Sequence, residues 1–271
     1  ALALTIASYP SLAKEALREV GLLDYKLKSV TKEDWPPLLI LNAFPEIDGF
    51  QKNGVVQKGA LEDEGYLLLS FFDPPKDQSI VQLIRIRDQQ VLHEWVPKIA
   101  APLKRGQIIE HPMMLNDGGL VFHLDTGPME KVNACSDRVW RAGGKEYHHS
   151  LEVDSDGFFW AASRMTSSAY HSLQHGTVSV IYLDDSIVRL SPDGKVVFEK
   201  SVSEMLEEHG YGVLLFGVGR YDDDAVHLND IQPALTTTKY WKKDDLLLSL
   251  RNISTVLLYR PSTQNIVWLK T

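Results

Sequence analysis

The stretch Asp224-Ala225-Val226-His227-Leu228-Asn229-Asp230-Ile231 is followed by Asp245-Leu246-Leu247-Leu248-Ser249-Leu250-Arg251-Asn252-Ile253-Ser254-Thr255, Val256-Leu257-Leu258-Tyr259-Arg260 and Ile266-Val267-Trp268. Short apolar runs separated by polar turns predict successive antiparallel strands of one small sheet. His227 and Asn229 are two positions apart, so an extended strand puts them on one face, and Arg251 interrupts an otherwise apolar strand. An imidazole, an amide and a guanidinium gathered by neighbouring strands make a site for an oxygen-rich anion. Arg donates through a planar fork, and His and Asn add directed hydrogen bonds. The competing reading is structural: a hydrogen-bonded core histidine, and an Arg251 paired with Asp230 or Asp245.

The same pattern recurs upstream. Gly65–Phe72, Ile80–Ile86 and Val91–Trp95 make a first unit. The second runs through His111–Leu115, the turn Asn116-Asp117-Gly118-Gly119, Leu120–Leu124, a polar stretch and Arg138–Arg141. The third takes Tyr147–Val153, the turn Asp154-Ser155-Asp156-Gly157, Phe158–Arg164, Val178–Tyr182, Ile187–Leu190 and, after Ser191-Pro192-Asp193-Gly194, Val196–Phe198. Four such units predict an all-β fold built by radial repetition, a β-propeller of four-stranded blades. Inserts at Met165–Thr177 and Glu199–Ala225 make the spacing uneven, and the second holds a helix over Ser203–His209, capped by Ser203 and stopped at Gly210.

In this register a histidine opens three of the four units: His111, His148 or His149, and His227. First-strand positions of a propeller converge on its central channel, so these rings would form one cluster. His111 stands before Pro112 and has a second reading as a turn marker only.

With 271 residues, 44% hydrophobic and 24% charged, the composition is that of a soluble globular protein with a substantial core. A net charge of −8 argues against a general nucleic-acid binder but allows a local basic pocket. The single cysteine, Cys135, allows neither an intramolecular disulfide nor a cysteine metal site. Leu12, Ala16, Leu17, Val20 and Leu23 recur at helical spacing, predicting a short N-terminal helix within Ser11–Lys28, capped by Ser11 and closing near Gly21. Trp35-Pro36-Pro37 breaks any helix, so residues 1–54 read as a helix and irregular lead-in, and 55–271 as the propeller domain. Ala1–Ala7 is apolar but too short to span a bilayer; it reads equally as the trimmed end of a signal or membrane anchor and as the buried start of the first helix.

Other patterns rank lower. Asp222-Asp223-Asp224 and Asp154-Ser155-Asp156-Gly157 lack the remaining ligands of a calcium loop. His171 and His175 are four apart and would share a helix face, but no Glu follows the first, so they miss the zinc-protease pattern. Gly217-Val218-Gly219 is no phosphate loop. Arg164, in Ser163-Arg164, is a weaker candidate for the channel.

Four groups of these residues resemble the bacterial arylsulfotransferase family in order and type: Gly65–Leu69 with Val91–Trp95, His148–Gly157, Asp224–Ile231, and Leu247–Thr255 with Ile266–Trp268. The likeness runs from Gly65 onward. It implies a six-bladed propeller that moves a sulfuryl group from an aryl sulfate to a phenol acceptor with no nucleotide donor, no cofactor and no metal, through a histidine intermediate. It also implies a location in the periplasm or on a membrane facing it. Carried over by position, the resemblance makes His149 the first channel histidine, with His148 as its competitor and substrate contact. His227 and Asn229 become the second contact and Arg251 the anion clamp.

One departure matters. The family's nucleophilic histidine lies in the blade after Trp268, and the sequence ends at Thr271, so the resemblance leads us to expect a fragment truncated at its C-terminus and lacking the nucleophile. The alternative is a shortened homologue whose ring closes with four or five blades using N-terminal strands, or in which catalysis is lost. Two rival functions stand beside transfer. One is a noncatalytic propeller module that binds an anionic ligand or a protein partner; the other is a hydrolase in which water discharges the sulfurylated histidine.

Overall fold

A computed structural model of the chain describes residues 65–73, 77–99, 108–165, 170–175, 178–216 and 223–271. The expected N-terminal helix, the boundary between 54 and 55 and the Gly217–Gly219 stretch lie outside the described residues. The strands are β1 (Tyr66–Asp73), β2 (Gln78–Arg85), β3 (Gln90–Trp95), β4 (Ile109–Met114), β5 (Leu120–Leu124), β6 (Gly127–Val132), β7 (Arg138–Val153), β8 (Phe159–Arg164), β9 (Tyr170–His175), β10 (Val178–Leu183), β11 (Asp185–Leu190), β12 (Val196–Ser201), β13 (Leu228–Pro233), β14 (Leu246–Leu250), β15 (Thr255–Arg260) and β16 (Asn265–Lys270). Two short helices, α1 (Val202–Glu208) and α2 (Val213–Phe216), follow β12.

Every strand pair is an antiparallel neighbour. The first sheet runs β1-β2-β3 and the last β13-β14-β15-β16. Between them lies a seven-stranded sheet, β12-β11-β8-β7-β6-β5-β4. It consists of two meanders that share β7. The N-terminal part of that 16-residue strand pairs with β6 and its C-terminal part with β8. Gly144, at φ 82°, lies in the passage between the two parts, where a side chain would be strained. The first strands of the meanders are in contact in sequence, β1 with β4, β4 with β7 and β7 with β13.

Strand alternation explains the cores. In β5, Leu120, Phe122 and Leu124 face Val81 and Trp95 of the first sheet, whereas Val121 faces Met129, Leu151 and Phe159 on the other side. In β8, Phe159 and Ala161 join that second core, while Trp160 and Ala162 turn toward Leu228, Ile231, Leu246 and Leu248 of the last sheet. Both faces are covered, so these strands read as near-continuous apolar runs and not as a clean alternation. α1 adds Val202, Met205 and Leu206 to the third core.

The structure corrects several expectations. The polar stretch of the second unit contains β6. Its Met129 and Val132 are buried, and its buried Glu130 is neutralised across the hairpin by Arg138 at 2.8 Å and Arg141 at 3.5 Å. The helix begins one residue earlier than predicted and its N-cap is Ser201, whose Oγ accepts the Glu204 N–H at 3.0 Å. Ser201-Val202-Ser203-Glu204 has the spacing of a capping box, so Ser203 lies inside the helix. His171 and His175 sit on strand β9, not on a helix, and β9 and β10 form a hairpin of their own.

The far turns are fixed by carboxylates. Asp154, 5% exposed, accepts the N–H groups of Asp156 and Phe158 through Oδ1, and the Trp160 indole and Arg189 guanidinium through Oδ2. These occupied oxygens rule out Asp154 as a free calcium ligand. Gly194, at φ 82°, ends the turn between β11 and β12 beneath Trp140, whose indole N–H donates to the Pro192 carbonyl at 3.0 Å. A Cβ at Gly194 would lie 2.7 Å from the Trp140 ring. Gly194→Ala is therefore expected to lower stability by about 1–3 kcal/mol, combining left-handed strain with overpacking. A lowered denaturant midpoint with unchanged m-value would show it, and an unchanged midpoint would contradict it.

Candidate functional site

Antiparallel register brings one end of every central strand to the same rim. That rim carries the starts of β4, the C-terminal part of β7, β11 and β13, and the ends of β5, β8 and β14. Glu110 and His111 come from β4, His123 from β5, His148 and His149 from β7, Arg164 from β8 and Asp185 from β11. His227 stands immediately before β13 and Arg251 immediately after β14.

Three of the histidines share an unusual backbone. His111, His149 and His227 have φ values of 41°, 54° and 52°, the left-handed region that few non-glycine residues enter. Each lies in or beside an interrupted ladder: the register shifts between Glu110 and Met113, between His148 and Leu151, and between Leu228 and Asp230. A bulge places an extra residue in one strand and re-aims its side chain, and such strain concentrates where function requires it.

His149 and His227 meet directly, with Nε2 atoms 2.8 Å apart and ring centroids 4.9 Å apart. The Nδ1–H of His227 donates to Asp224 Oδ2. With that hydrogen fixed on Nδ1, His227 Nε2 carries a lone pair that accepts the Nε2–H of His149. His148 turns the other way. It is buried, and its Nε2–H donates to Asp185 Oδ1 at 3.1 Å, while Asp185 Oδ2 accepts the Leu228 N–H at 2.6 Å. Asp185 thus ties β7 to β13. Of the two adjacent histidines, His149 faces His227 and His148 buttresses the fold.

The bent backbone at His149 is held from β4 and β5. Its N–H bonds to the Glu110 carboxyl, and its carbonyl lies 3.1 Å from His123 Nε2. Burial, and then the negative charge of Asp125, push the Glu110 carboxyl up, against the opposing pull of His111, that N–H and His148. Burial is also the main reason that His149 is lowered to about 4, with the charges of His148, His227 and Arg251 acting in the same direction. At neutral pH its ring is uncharged.

Arg251 differs from its expected position. β14 ends at Leu250, and Arg251 begins the turn that leads into β15. Its backbone N–H donates to the His227 carbonyl at 3.0 Å, and Asn252 donates through Nδ2 to the Asp224 carbonyl at 2.6 Å. The turn therefore clips onto the segment that carries Asp224 and His227. The Arg251 side chain is exposed, and its Nε donates to Asn252 Oδ1 at 3.2 Å. Neither of the alternative ion pairs forms; Asp245 is instead gripped by both Arg260 Nε and Nη2 at 2.7 Å. Asn229 is exposed in the bulge of β13, and His227 precedes the strand, so simple alternation does not put the two on one face. Among the described residues Asn229 makes no hydrogen bond to the histidines.

Sequence reasoning missed Asp224, Asp185, Glu110 and His123. The Asp-x-x-His spacing of Asp224 and His227 was a usable signal, whereas Glu110, His123 and Asp185 reach the site only through strand register. No group of His, Cys, Asp and Glu among the described residues has the arrangement of a metal site.

Comparisons with known proteins bear on this rim. The family profile described as "Arylsulfotransferase (ASST)" matches residues 111–271, which includes His111, His149, Asp224, His227 and Arg251. No curated protein matches the chain. Among solved structures, it is similar to a protein of unknown function from Bacteroides caccae, with 12% identity and a TM-score of 0.46, over 77% of this chain and 58% of that one.

His123 gives a pH test of the clamp around His149. Burial lowers this ring to about 4, from an ordinary 6.5. The unfolded chain therefore takes up a proton first as the pH falls. The stabilisation is complete above about 6.5 and is lost toward pH 4, roughly 3 kcal/mol for a shift of this size. Urea denaturation at pH 7 and pH 4.5 is expected to show a steeper loss in the wild type than in His123→Gln. Equal slopes would contradict the assignment.

Proposed function

The chain belongs to the arylsulfotransferase family, and on that premise we propose that it takes part in nucleotide-independent transfer of a sulfuryl group from an aryl sulfate to a phenolic acceptor through a histidine intermediate. The observation that carries this reading is the Asp224–His227–His149 relay beside Arg251, at the rim where strained first strands converge. We also read the sequential meanders, with β7 continuing from the last strand of one into the first strand of the next, as blades of a β-propeller whose channel is this rim.

In the proposed reaction the rim supplies the nucleophile itself, in place of the histidine expected after Trp268: a ring nitrogen of His149 attacks sulfur, the bond between sulfur and the aryl oxygen breaks, and phenolate leaves. The acceptor phenol oxygen then attacks the same sulfur, the S–N bond breaks, and the phenol proton passes to a ring nitrogen. A neutral imidazole is competent in both roles, and burial favours that form for His149. Asp224 fixes the His227 tautomer, and His227 Nε2 in turn accepts the His149 Nε2–H, which leaves the lone pair of His149 on Nδ1. Arg251 stabilises the sulfuryl oxygens, whose negative charge persists throughout, and a fixed donor at the leaving oxygen accelerates the bond-breaking step.

The test is incubation with a chromogenic aryl sulfate and a second phenol. Both the released phenol and the newly sulfated one are expected, and omission of the acceptor should leave a sulfurylated histidine detectable by peptide mass spectrometry. Arg251→Ala is expected to reduce kcat/KM by about 100-fold or more. Release of phenol with no sulfated acceptor identifies a hydrolase, and tight binding of the aryl sulfate without turnover identifies a binding module; either overturns the proposal, as does full activity in Arg251→Ala.

A further inference from the structure

Arg164 ends β8 and is the cross-strand partner of Asp185. That pairing would ordinarily produce an ion pair. Asp185 is already committed to His148 and to the Leu228 N–H, and Arg164 Nε is buried with no hydrogen-bond partner. Among the described residues, Arg164 has no carboxylate within the 4.0 Å of an ion pair, and neither does Arg251. Other arginines of the fold behave differently: Arg138 and Arg141 share Glu130, Arg189 holds Asp154, and Arg260 holds Asp245.

The two arginines without such a partner act on the same group. Asp224 is pushed up by burial but held below the usual carboxylate range by the hydrogen bond and charge of His227, and then by the charges of Arg164 and Arg251. Both guanidinium groups therefore lie within electrostatic reach of the carboxylate that orients His227, one at the end of β8 and the other just past β14. A buried donor without a partner in a native fold is explained by strain or by an absent ion or water. Two cations around one histidine pair, in a chain of net charge −8, define a local field that selects an anion.

We propose that Arg164 is a second sulfuryl-binding residue, which donates to the oxygens of a sulfate monoester together with Arg251. This rests on the sulfotransferase reading of the same rim. Three equivalent oxygens on the sulfuryl group give both arginines an acceptor, and the planar fork of each allows a directed pair of bonds. No bond to Arg164 is made or broken in the transfer; it binds the group that moves.

The experiment measures inorganic sulfate binding by calorimetry, together with aryl sulfate turnover, for the wild type, Arg164→Ala and Arg164→Lys, with thermal unfolding of each. The expected result is sulfate affinity about tenfold or more weaker in Arg164→Ala at an unchanged unfolding midpoint, an intermediate loss in Arg164→Lys, and partial recovery of the alanine variant by free guanidinium. Wild-type affinity in Arg164→Ala, or no sulfate binding by the wild type, overturns the inference. Where Arg164→Ala does not fold, Arg164→Lys decides, since wild-type affinity there removes the need for a fork. Sulfate binding that depends on Arg164 without any sulfuryl transfer would leave this inference standing and remove the transfer reaction; transfer that is indifferent to Arg164 would do the reverse.

Discussion

The burial of both faces of the central strands constrains everything else in this molecule. β5, β8 and β11 lie between apolar layers, so a charged or hydrogen-bonding side chain in the middle of one of these strands would need a buried partner. The strand ends are free of that requirement. Antiparallel register then collects the ends into two rims, one formed by turns and the other by the starts of the first strands. Charged and hydrogen-bonding side chains therefore gather at the two rims, and the histidine pair lies on the second.

Such placement is not enough to make a site, since a regular strand would aim alternate side chains into the adjoining cores. The left-handed φ values at His149 and His227 break that alternation and bring the two rings to 2.8 Å. A conformation of this kind costs on the order of 1–3 kcal/mol and persists only where neighbours over-determine it. At His149 they do: Glu110 holds the N–H and His123 the carbonyl. At His227 the carbonyl accepts the Arg251 N–H, while Asp185 grips the next peptide through the Leu228 N–H. The site is thus assembled from backbone contacts between meanders, which makes it a property of the whole stack.

Much of this was legible in the sequence. Apolar runs separated by Asp-Gly turns gave the antiparallel strands, because Gly118, Gly157 and Gly194 do adopt positive φ where each turn closes. Histidines in corresponding positions pointed to one cluster, and the structure brings His149 and His227 into contact. The rest was hidden for identifiable reasons. Glu130 and Lys131 disguised β6, since the neutralising arginines belong to the next strand. The face shared by His227 and Asn229 assumed an unbroken period of two, and the register of β13 shifts between Leu228 and Asp230. Glu110 and Asp185 carry no local signal, because their partners are 37 or more residues away from them in the chain.

The two rims use the same residue types to opposite ends. On the turn side, Asp154 holds four donors, including Arg189, and Asp245 holds the fork of Arg260; each charge is neutralised within the fold. On the other side, Asp224 is engaged by His227, yet Arg164 and Arg251 influence it without pairing with it. An unpaired cation near a low-dielectric wall is costly for a fold that has only its own stability to maintain. It is useful to one that must bind an anion, because a carboxylate already paired with the guanidinium would have to be displaced first. Under the proposed anion site, what separates these two sets of charges is therefore not their identity or burial but whether the chain itself supplies the counter-charge.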